Sequence, residues 1–426
     1  MAQFTCEVFQ NEFLPDGGTD VHAVVTVTCT GAGEAGQGSG GDAAEIIIVD
    51  TSGSMQGDRI AAARAGAAAA IDQIVDGTWF AIIAGTDGAS RAFPYANAAS
   101  AMVRMEPGAR AAAKDAVSRL VAGGGTAIGS WLRLATRLFE SVPEVTQRHA
   151  ILLTDGKNQS ETPEVLRTSV REAAGRFQCD CRGVGADWDV RELREVSTAL
   201  LGTVDIIPAP HELAEAFAGL MRQAMGRGVA EAQLRVWTPQ GARVLFVRQV
   251  SPQVEDLTGR RVDVNPLTGG YPTGAWGDES RDYHVAIQLA AKPVGAEQLA
   301  ARVQLAVGGQ VVTQALVKAL WSDNDSLTTR INPEVAHYTG QTELAAAIQE
   351  GLAAKAAGDD AEATAKLGRA VQLAQATGND EATAKLRKVV DIEDGDAGTV
   401  RLKRGVSKLD EMQLDTASTK TSRVRR

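Results

Sequence analysis

The sequence predicts an α/β protein with a doubly wound, mostly parallel sheet inserted in a β-sandwich, then a small helical region and a disordered tail. Three observations predict this order. Apolar runs alternate with helical patterns over residues 41–227, which is typical of a parallel sheet covered by helices. Short β-rich runs separated by Gly, Pro and Asp fill residues 228–330. Small and apolar residues recur at helical spacing over residues 331–394.

Two β-rich runs open the chain, at residues 4–13 and 21–30, on either side of the turn signal PDGGT. Because an isolated hairpin is barely stable, we expect both strands to join the later sandwich. Residues 1–40 then comprise these strands and a glycine-rich linker. The linker contains the GxGxxG spacing of a dinucleotide site from Gly31 to Gly36, but no crossover helix follows it, so we interpret it as flexible.

The next stretch, EIIIVDTSGS at residues 45–54, predicts a strand buried on both faces that ends at Asp50. Ser52 and Ser54 follow at every second position on a tight, glycine-containing turn. A carboxylate beside two hydroxyls forms an all-oxygen cluster, and oxygen ligands suit a small hard cation. The Asp-x-Ser-x-Ser triplet alone is a weak signal, and turn serines or helix caps are the alternative interpretation.

Two later stretches strengthen the prediction of a metal site. GGGT, ending at Thr126, places a hydroxyl on a glycine-rich loop just before a helix. HAILLTDG, at residues 149–156, is a second apolar strand that ends at a carboxylate, Asp155. Because open α/β sheets place ligands at the carboxyl ends of their strands, we expect these loops to converge.

Together these residues resemble the metal-ion-dependent adhesion site of the von Willebrand factor type A family, whose Rossmann-like fold fits residues 41–227. By this resemblance, Ser52, Ser54 and Thr126 bind the metal directly, whereas Asp50 and Asp155 act mostly through water. The resemblance implies Mg²⁺, with Mn²⁺ or Ca²⁺ as alternatives. It also implies that the metal docks an acidic residue of a partner protein.

The remaining elements of the α/β region follow from apolar periodicity and from punctuation by Gly and Pro. We expect helices at residues 58–75, 107–120, 128–139, 163–176, 190–200 and 211–225. We expect strands at residues 79–84, 90–93, 150–154, 177–184 and 203–207. In the sandwich, Trp237, Trp276 and Trp321 are predicted to lie in the core.

The C-terminal part is predicted to form a helical bundle followed by a disordered, basic tail. Helices are expected at residues 341–357, 360–377 and 380–391, and two similar segments are too few for a solenoid. Residues 395–426 carry little apolar content, which favours disorder. The hydroxyls at Thr416, Ser418, Thr419 and Thr421 suggest a phosphorylation switch that docks on a phosphothreonine-binding partner, or an inert tail.

Composition excludes several classes of function. The formal net charge is −10, while residues from Val400 onward carry eight Lys or Arg against three Asp or Glu, so the body is acidic and nucleic-acid binding is not expected. No apolar run is long enough to span a membrane. With no apparent signal peptide and only four cysteines, we expect a cytoplasmic protein, and the family resemblance implies one of bacterial type.

We expect a binding module and not an enzyme. The position two residues after Asp50 is a serine, whereas a dehalogenase-type phosphatase needs a second carboxylate there. The Walker lysine, the HExxH motif and a nucleophile elbow are all missing. The resemblance to the von Willebrand factor type A family then implies a metal-dependent adaptor or scaffold in a bacterial signalling, stress-response or assembly system. A scaffold braced by a purely structural metal remains the alternative.

Overall fold

The computed structural model describes residues 2–33 and 42–424, and the chain divides into two compact units. The first unit comprises residues 31–231 and 274–278, and the second comprises residues 3–30, 232–273 and 279–426. Most of the predicted glycine-rich linker, residues 34–41, lies outside the described residues.

The elements are numbered in chain order. The strands are β1 Gln3–Gln10, β2 Phe13–Leu14, β3 Asp20–Thr30, β4 Ala43–Asp50, β5 Trp79–Gly85, β6 Ala89–Phe93, β7 Val103–Arg104, β8 Gln147–Thr154, β9 Gln178–Val184, β10 Val204–Ile207, β11 Val229–Trp237, β12 Arg243–Ser251, β13 Glu255–Asp256, β14 Val262–Asn265, β15 Thr268–Trp276, β16 Glu279–Gln288, β17 Glu297–Val307, β18 Gln310–Trp321, β19 Val390–Asp394 and β20 Thr399–Leu402. The α-helices are α1 Asp58–Gln73, α2 Pro107–Ser118, α3 Ile128–Glu140, α4 Pro163–Ala173, α5 Val190–Ala199, α6 Leu213–Met225, α7 Asp325–Thr328, α8 Pro333–Ala356, α9 Asp360–Ala376, α10 Asp380–Val389 and α11 Lys408–Ala417.

The first unit is built on one sheet with the strand order β10-β9-β8-β4-β5-β6, and β7 pairs with β5. The pairs from β10 to β5 are parallel, whereas β6 and β7 run antiparallel to β5. Strand β4 is central and nearly fully buried because helices cover both faces. Ile47 and Val49 pack against α1, α2 and α6. Ile46 and Ile48 alternate to the opposite face, which bears α3 to α5. The predicted α/β architecture is confirmed.

A buried ionic network joins three neighbouring strands of this sheet. His149 Nδ1 lies 2.8 Å from Glu45 Oε2, and His149 Nε2 lies 2.9 Å from Asp180 Oδ2. Arg227 adds a second cation 3.5 Å from Asp180. Burial alone would lower the pKa of His149, but the charges of Glu45 and Asp180 outweigh it and raise that pKa to about 9. The imidazole is therefore a cation held between two carboxylates.

The second unit contains two larger sheets. One has the order β1-β3-β16-β12-β13, and the other has the order β14-β15-β11-β17-β18-β2. Strand β3 pairs with β1 on one side and with β16 on the other, so Val25 lies opposite both Val8 and Tyr283. Trp321 is fully buried in this unit, whereas Trp237 is half-buried beneath the Arg302 guanidinium. Trp276 is also fully buried but belongs to the first unit.

The predicted helices of the C-terminal region are present, and the first begins earlier than expected. Helix α8 starts at Pro333 because Asn332 caps it, accepting hydrogen bonds from the backbone N–H groups of residues 334 and 335. Leu344, Leu367 and Leu386 bring α8, α9 and α10 into one apolar cluster. A helical region separate from the sandwich is predicted from residue 331, whereas the helices and the two sheets form one compact unit.

The prediction of a disordered tail is wrong for residues 395–424. Strand β20 pairs with β19, and α11 buries Leu414 in the same cluster as Leu386. Beyond α11, Val254 N donates to Thr419 O at 2.7 Å, so the chain end follows the backbone after β12. Low average apolar content does not reveal this order, because a short helix needs only a few buried residues, such as Met412 and Leu414, to pack.

The same packing engages three of the four hydroxyls proposed for the phosphorylation switch, which stays a prediction. Thr416 and Ser418 are buried, and their hydroxyls donate to the carbonyl oxygens of Met412 and Asp415. Thr421 Oγ1 donates to Val250 O at 2.6 Å. These three hydroxyls are engaged within the fold, and Thr419 is half-buried.

No helix in the ranges 2–33 and 42–424 combines the length and the apolar character that crossing a bilayer requires.

Leu414→Ala tests the ordered C-terminal region. Leu414 is fully buried in the cluster around α8 to α10, so truncation should lower the free energy of unfolding by about 2–5 kcal/mol. Urea unfolding followed by circular dichroism measures the change. Leu316→Ala is the control, because Leu316 is 42% exposed and should change stability by less than about 0.5 kcal/mol. An equally small change in stability for Leu414→Ala would contradict the ordered C-terminal region and support the prediction of a disordered tail.

The His149 network predicts a pH-dependent stability. A histidine whose folded pKa is raised stabilises the fold fully below its unfolded pKa, near 6.5, and loses that contribution as pH rises through about 9. The melting temperature should therefore fall between pH 6.5 and 9. In His149→Gln, which lacks the titrating group, the slope in this window should be markedly shallower. An unchanged slope would show that other groups cause the dependence.

Candidate functional site

The end of β4 presents the first part of the site. Asp50 is the last residue of the strand and is fully buried. The chain then turns through a single 3-10 turn at Gly53–Met55 before α1 begins. The carboxylate of Asp50 holds this turn, because Ser52 N donates to Asp50 Oδ1 at 2.7 Å. Ser52 is buried, whereas Ser54 is exposed, so the site opens to solvent at Ser54.

The glycine-rich loop docks on this turn through its backbone. Gly123 N donates to Thr51 O at 2.8 Å, and Gly53 N donates to Gly124 O at 2.9 Å. Gly124 has a φ of 81°, a conformation that favours glycine. These bonds fix the loop that carries Thr126 beside the loop that carries Ser52 and Ser54.

The end of β8 completes the cluster. Ser54 Oγ donates to Asp155 Oδ1 at 2.6 Å, and the hydroxyls of Ser52 and Ser54 lie 2.9 Å apart. A Cβ placed on Gly156 would lie 3.2 Å from Ser54 Oγ and 3.5 Å from Thr126 Oγ1, so both hydroxyls face that glycine. The structure thus brings together all five residues that the sequence singles out.

The electrostatics of the cluster favour a cation. Burial raises the pKa of Asp50 and the nearby charge of Asp155 adds to the rise, whereas hydrogen bonds from Thr154 and Ser52 act in the opposite direction. The donors are two carboxylates and three hydroxyls, a set that fits a hard divalent ion. Over the described ranges no group of three or more His, Cys, Asp or Glu is placed to hold a metal, so any ion here depends on the hydroxyls.

Sequence reasoning missed Arg59. Its guanidinium lies 2.7 Å from Asp155 Oδ2 and 3.1 Å from Asp187 Oδ2. Arg59 lies in the first turn of α1, where the helix dipole disfavours a positive charge. An arginine in the first turn of a helix, nine residues after Asp50, is the sequence signal for this contact.

Sequence reasoning also missed the segment that supports the start of α3. Asn158 Oδ1 accepts from Ile128 N at 2.9 Å, Ser160 Oγ accepts from Thr126 N at 3.1 Å, and Glu161 Oε1 accepts from Gly129 N at 2.5 Å. Three side chains from the loop after β8 thereby accept from the N–H groups of the first two residues of this helix and from the N–H of Thr126, just before it. These contacts hold Thr126 in place, and no sequence pattern at residues 158–161 predicts them.

Comparisons with known proteins agree with this geometry. A family model described as the von Willebrand factor type A domain matches residues 44–206, and one described as the von Willebrand factor type A C-terminal domain matches residues 372–418. A solved structure described as von Willebrand factor type A from Catenulispora acidiphila is 47% identical, with a TM-score of 0.93, over 99% of this chain and 97% of that one. The chain belongs to the von Willebrand factor type A family. Domains of this family are generally protein-interaction modules.

Two more distant proteins extend the comparison. The ArnB paralogue VWA2 from Sulfolobus acidocaldarius is 14% identical over 98% of each chain, with a TM-score of 0.57, and shows the fold alone. An uncharacterised protein of Synechocystis is 26% identical over 217 residues. That match covers 50% of this chain and 49% of the curated relative.

Thr154→Val tests how the buried Asp50 is held. Thr154 Oγ1 donates to Asp50 Oδ2 at 2.5 Å, and both residues are fully buried. Removing the hydroxyl leaves a buried carboxylate oxygen without that donor, so the free energy of unfolding should fall by about 1–3 kcal/mol. In an Asp50→Asn background the same substitution should have a smaller effect, as measured by urea unfolding. Equal losses in both backgrounds would mean that Thr154 acts through packing.

Proposed function

We propose that this von Willebrand factor type A protein binds a divalent cation at Asp50, Ser52, Ser54, Thr126 and Asp155. We propose further that this cation docks an Asp or Glu side chain of a partner protein. The observation that carries the proposal is the convergence of three loops, from the ends of β4 and β8 and from the start of α3, on one solvent-accessible group of oxygen atoms.

The donor set supports Mg²⁺, with Mn²⁺ and Ca²⁺ as alternatives. Mg²⁺ prefers oxygen ligands, uses one or two carboxylates and keeps several waters. Asp50 and Asp155 supply the two carboxylates, and the three hydroxyls are neutral. The bound cation supplies an electrophilic position that a carboxylate oxygen of the partner can fill.

Asp50, Gly156 and Ser54 have different roles in the proposed site. Asp50 accepts from Ser52 N and Thr154 Oγ1, so its carboxylate is fixed and orients the turn. Gly156 leaves room beside the Ser54 and Thr126 hydroxyls that a side chain would fill. Ser54 is exposed and marks the side from which a partner reaches the site.

We propose that the site binds and does not catalyse. The hydrogen bonds that the structure gives Asp50, Ser52, Ser54 and Asp155 involve hydroxyl, backbone and guanidinium donors, with no histidine or cysteine among them. The cluster therefore lacks a histidine base and a cysteine nucleophile, and the carboxylate that accepts from Ser54, that of Asp155, is also held by Arg59.

A structural metal is the second candidate. Both carboxylates are fully buried, and a cation that only braces them would stabilise the fold without engaging a partner. Loss of folding on removal of the metal would favour this candidate, whereas loss of binding alone would favour docking.

We also propose a setting for this function. Cys6, Cys179 and Cys181 are free thiols, which supports a reducing compartment such as the bacterial cytoplasm. There the protein would serve as an adaptor or scaffold in a signalling, stress-response or assembly system, without binding nucleic acid. We further propose that the first unit is inserted in a β-sandwich, supported by the pairing of β3 with β16.

A metal titration combined with affinity capture tests the docking function. Wild type should bind one divalent cation by calorimetry after treatment with EDTA, and Asp50→Ala/Ser52→Ala should bind none. Immobilised wild type should then retain a protein from lysate with Mg²⁺ and release it with EDTA, because the carboxylate contact needs the metal. The retained protein should lose binding when its contacting Asp or Glu is replaced.

Ser118→Ala is the matched control, because Ser118 is an exposed serine on α2 whose hydroxyl donates only to Asp115 O. It should bind the cation and the partner like wild type. Thermal melts in EDTA establish that each variant is folded. A folded wild type that binds no cation, or that retains the same proteins with Mg²⁺ and with EDTA, would refute the proposal.

A further inference from the structure

Arg59 is a cation that the chain itself places on the proposed metal site. One arm of its guanidinium contacts Asp155 at 2.7 Å, and the other contacts Asp187 at 3.1 Å. The side chain of Asp155 is fully buried, that of Arg59 is 34% exposed, and that of Asp187 is 64% exposed. The guanidinium therefore spans from the buried carboxylate of the site to a carboxylate at the surface.

With Arg59 in this position, both oxygens of Asp155 are engaged. Oδ1 accepts from the Ser54 hydroxyl, and Oδ2 accepts from the guanidinium. A divalent cation held by these residues would lie close to the guanidinium, and like charges repel strongly where water is scarce. The contact with Arg59 and the binding of a metal therefore oppose each other.

The local backbone does not favour a cation at this position. Arg59 lies in the first turn of α1, near the positive end of the helix dipole. Gly57, which precedes the helix with a φ of 78°, contributes no capping side chain. The carboxylates of Asp155 and Asp187 thus hold the guanidinium. Asp187 can bind the guanidinium alone when it leaves Asp155.

We propose that Arg59 is a built-in counter-ion that competes with the divalent cation for Asp155, and that Asp187 draws it away. The pair then sets the cation affinity of the site. Without metal, Arg59 neutralises one of the two buried carboxylates. With metal, it turns toward solvent and Asp187. This inference rests on the proposed metal-binding function and adds the residues that tune it.

Cation titration of the full chain tests the inference. We expect Arg59→Met to bind Mn²⁺ at least about tenfold more tightly than wild type, measured by electron paramagnetic resonance of the free ion. Asp187→Asn should bind several-fold more weakly, because Arg59 then stays on Asp155. In the Arg59→Met background, Asp187→Asn should change the Mn²⁺ affinity much less. The change that remains there measures the direct electrostatic effect of Asp187 on the bound ion.

Stability gives a second readout. Arg59→Met should melt at a lower temperature than wild type in EDTA, since Asp155 loses its counter-ion, and should gain more from added Mg²⁺. Arg119→Met is the charge-matched control, because Arg119 is exposed and pairs only with Asp115 on its own helix turn. It should leave both readouts unchanged. Asp187→Asn changes an exposed residue, so it tests the inference even if Arg59→Met folds poorly.

The outcomes separate this inference from the function on which it rests. Unchanged or weaker Mn²⁺ binding in Arg59→Met, with normal binding in wild type, would overturn the inference and leave the metal site intact. It would mean that Arg59 orients Asp155 for the metal. Equal effects of Asp187→Asn in both backgrounds would also overturn it. Absence of cation binding in folded wild type and in folded Arg59→Met would overturn both.

Discussion

The register between β4 and β8 is the constraint on which the site depends. Val49 lies opposite Leu153 in this parallel pair, so Asp50 and Thr154 follow at the same level. The Thr154 hydroxyl can then donate to Asp50, and Asp155 reaches the turn that carries Ser54. A shift of one residue would turn these side chains to the other face of the sheet. The apolar residues that bury β4 on both faces thus also fix the spacing of the oxygen atoms.

The same strand carries buried charge near both ends. Glu45 is neutralised within the fold by His149, a fully buried partner. At the carboxyl end, Asp50 and Asp155 are equally buried, but the positive partner, Arg59, is partly exposed. Buried charges need compensation, and here one end is compensated by an interior group and the other by a group at the surface. Because Arg59 is partly exposed, another cation can replace it beside Asp155, whereas the buried His149 cannot be replaced in this way.

Much of the site could be predicted from the sequence because its residues follow strand ends. Asp50, Ser52, Ser54 and Asp155 come directly after apolar runs, and a parallel sheet gathers such positions at one edge. Arg59 could not be placed, because the reach of a long side chain depends on how α1 packs. Asn158 and its neighbours cap a helix that lies 30 residues earlier in the chain, a contact that local patterns do not encode. The order of the C-terminal region was not predicted because average composition does not show where single apolar residues pack. Leu414, for example, is fully buried among the C-terminal helices.

The pairing of β3 with β16 has a consequence for synthesis on the ribosome. Residues 20–30 emerge early, but their partner at residues 279–288 lies more than two hundred positions later. At about 5–20 residues per second, the nascent hairpin waits on the order of ten to fifty seconds for that strand. During this interval the residues of the sheet around β4 have emerged and can fold, while β3 still presents an open edge to other chains. Elongation rate and chaperone access therefore bear on the yield of the native protein.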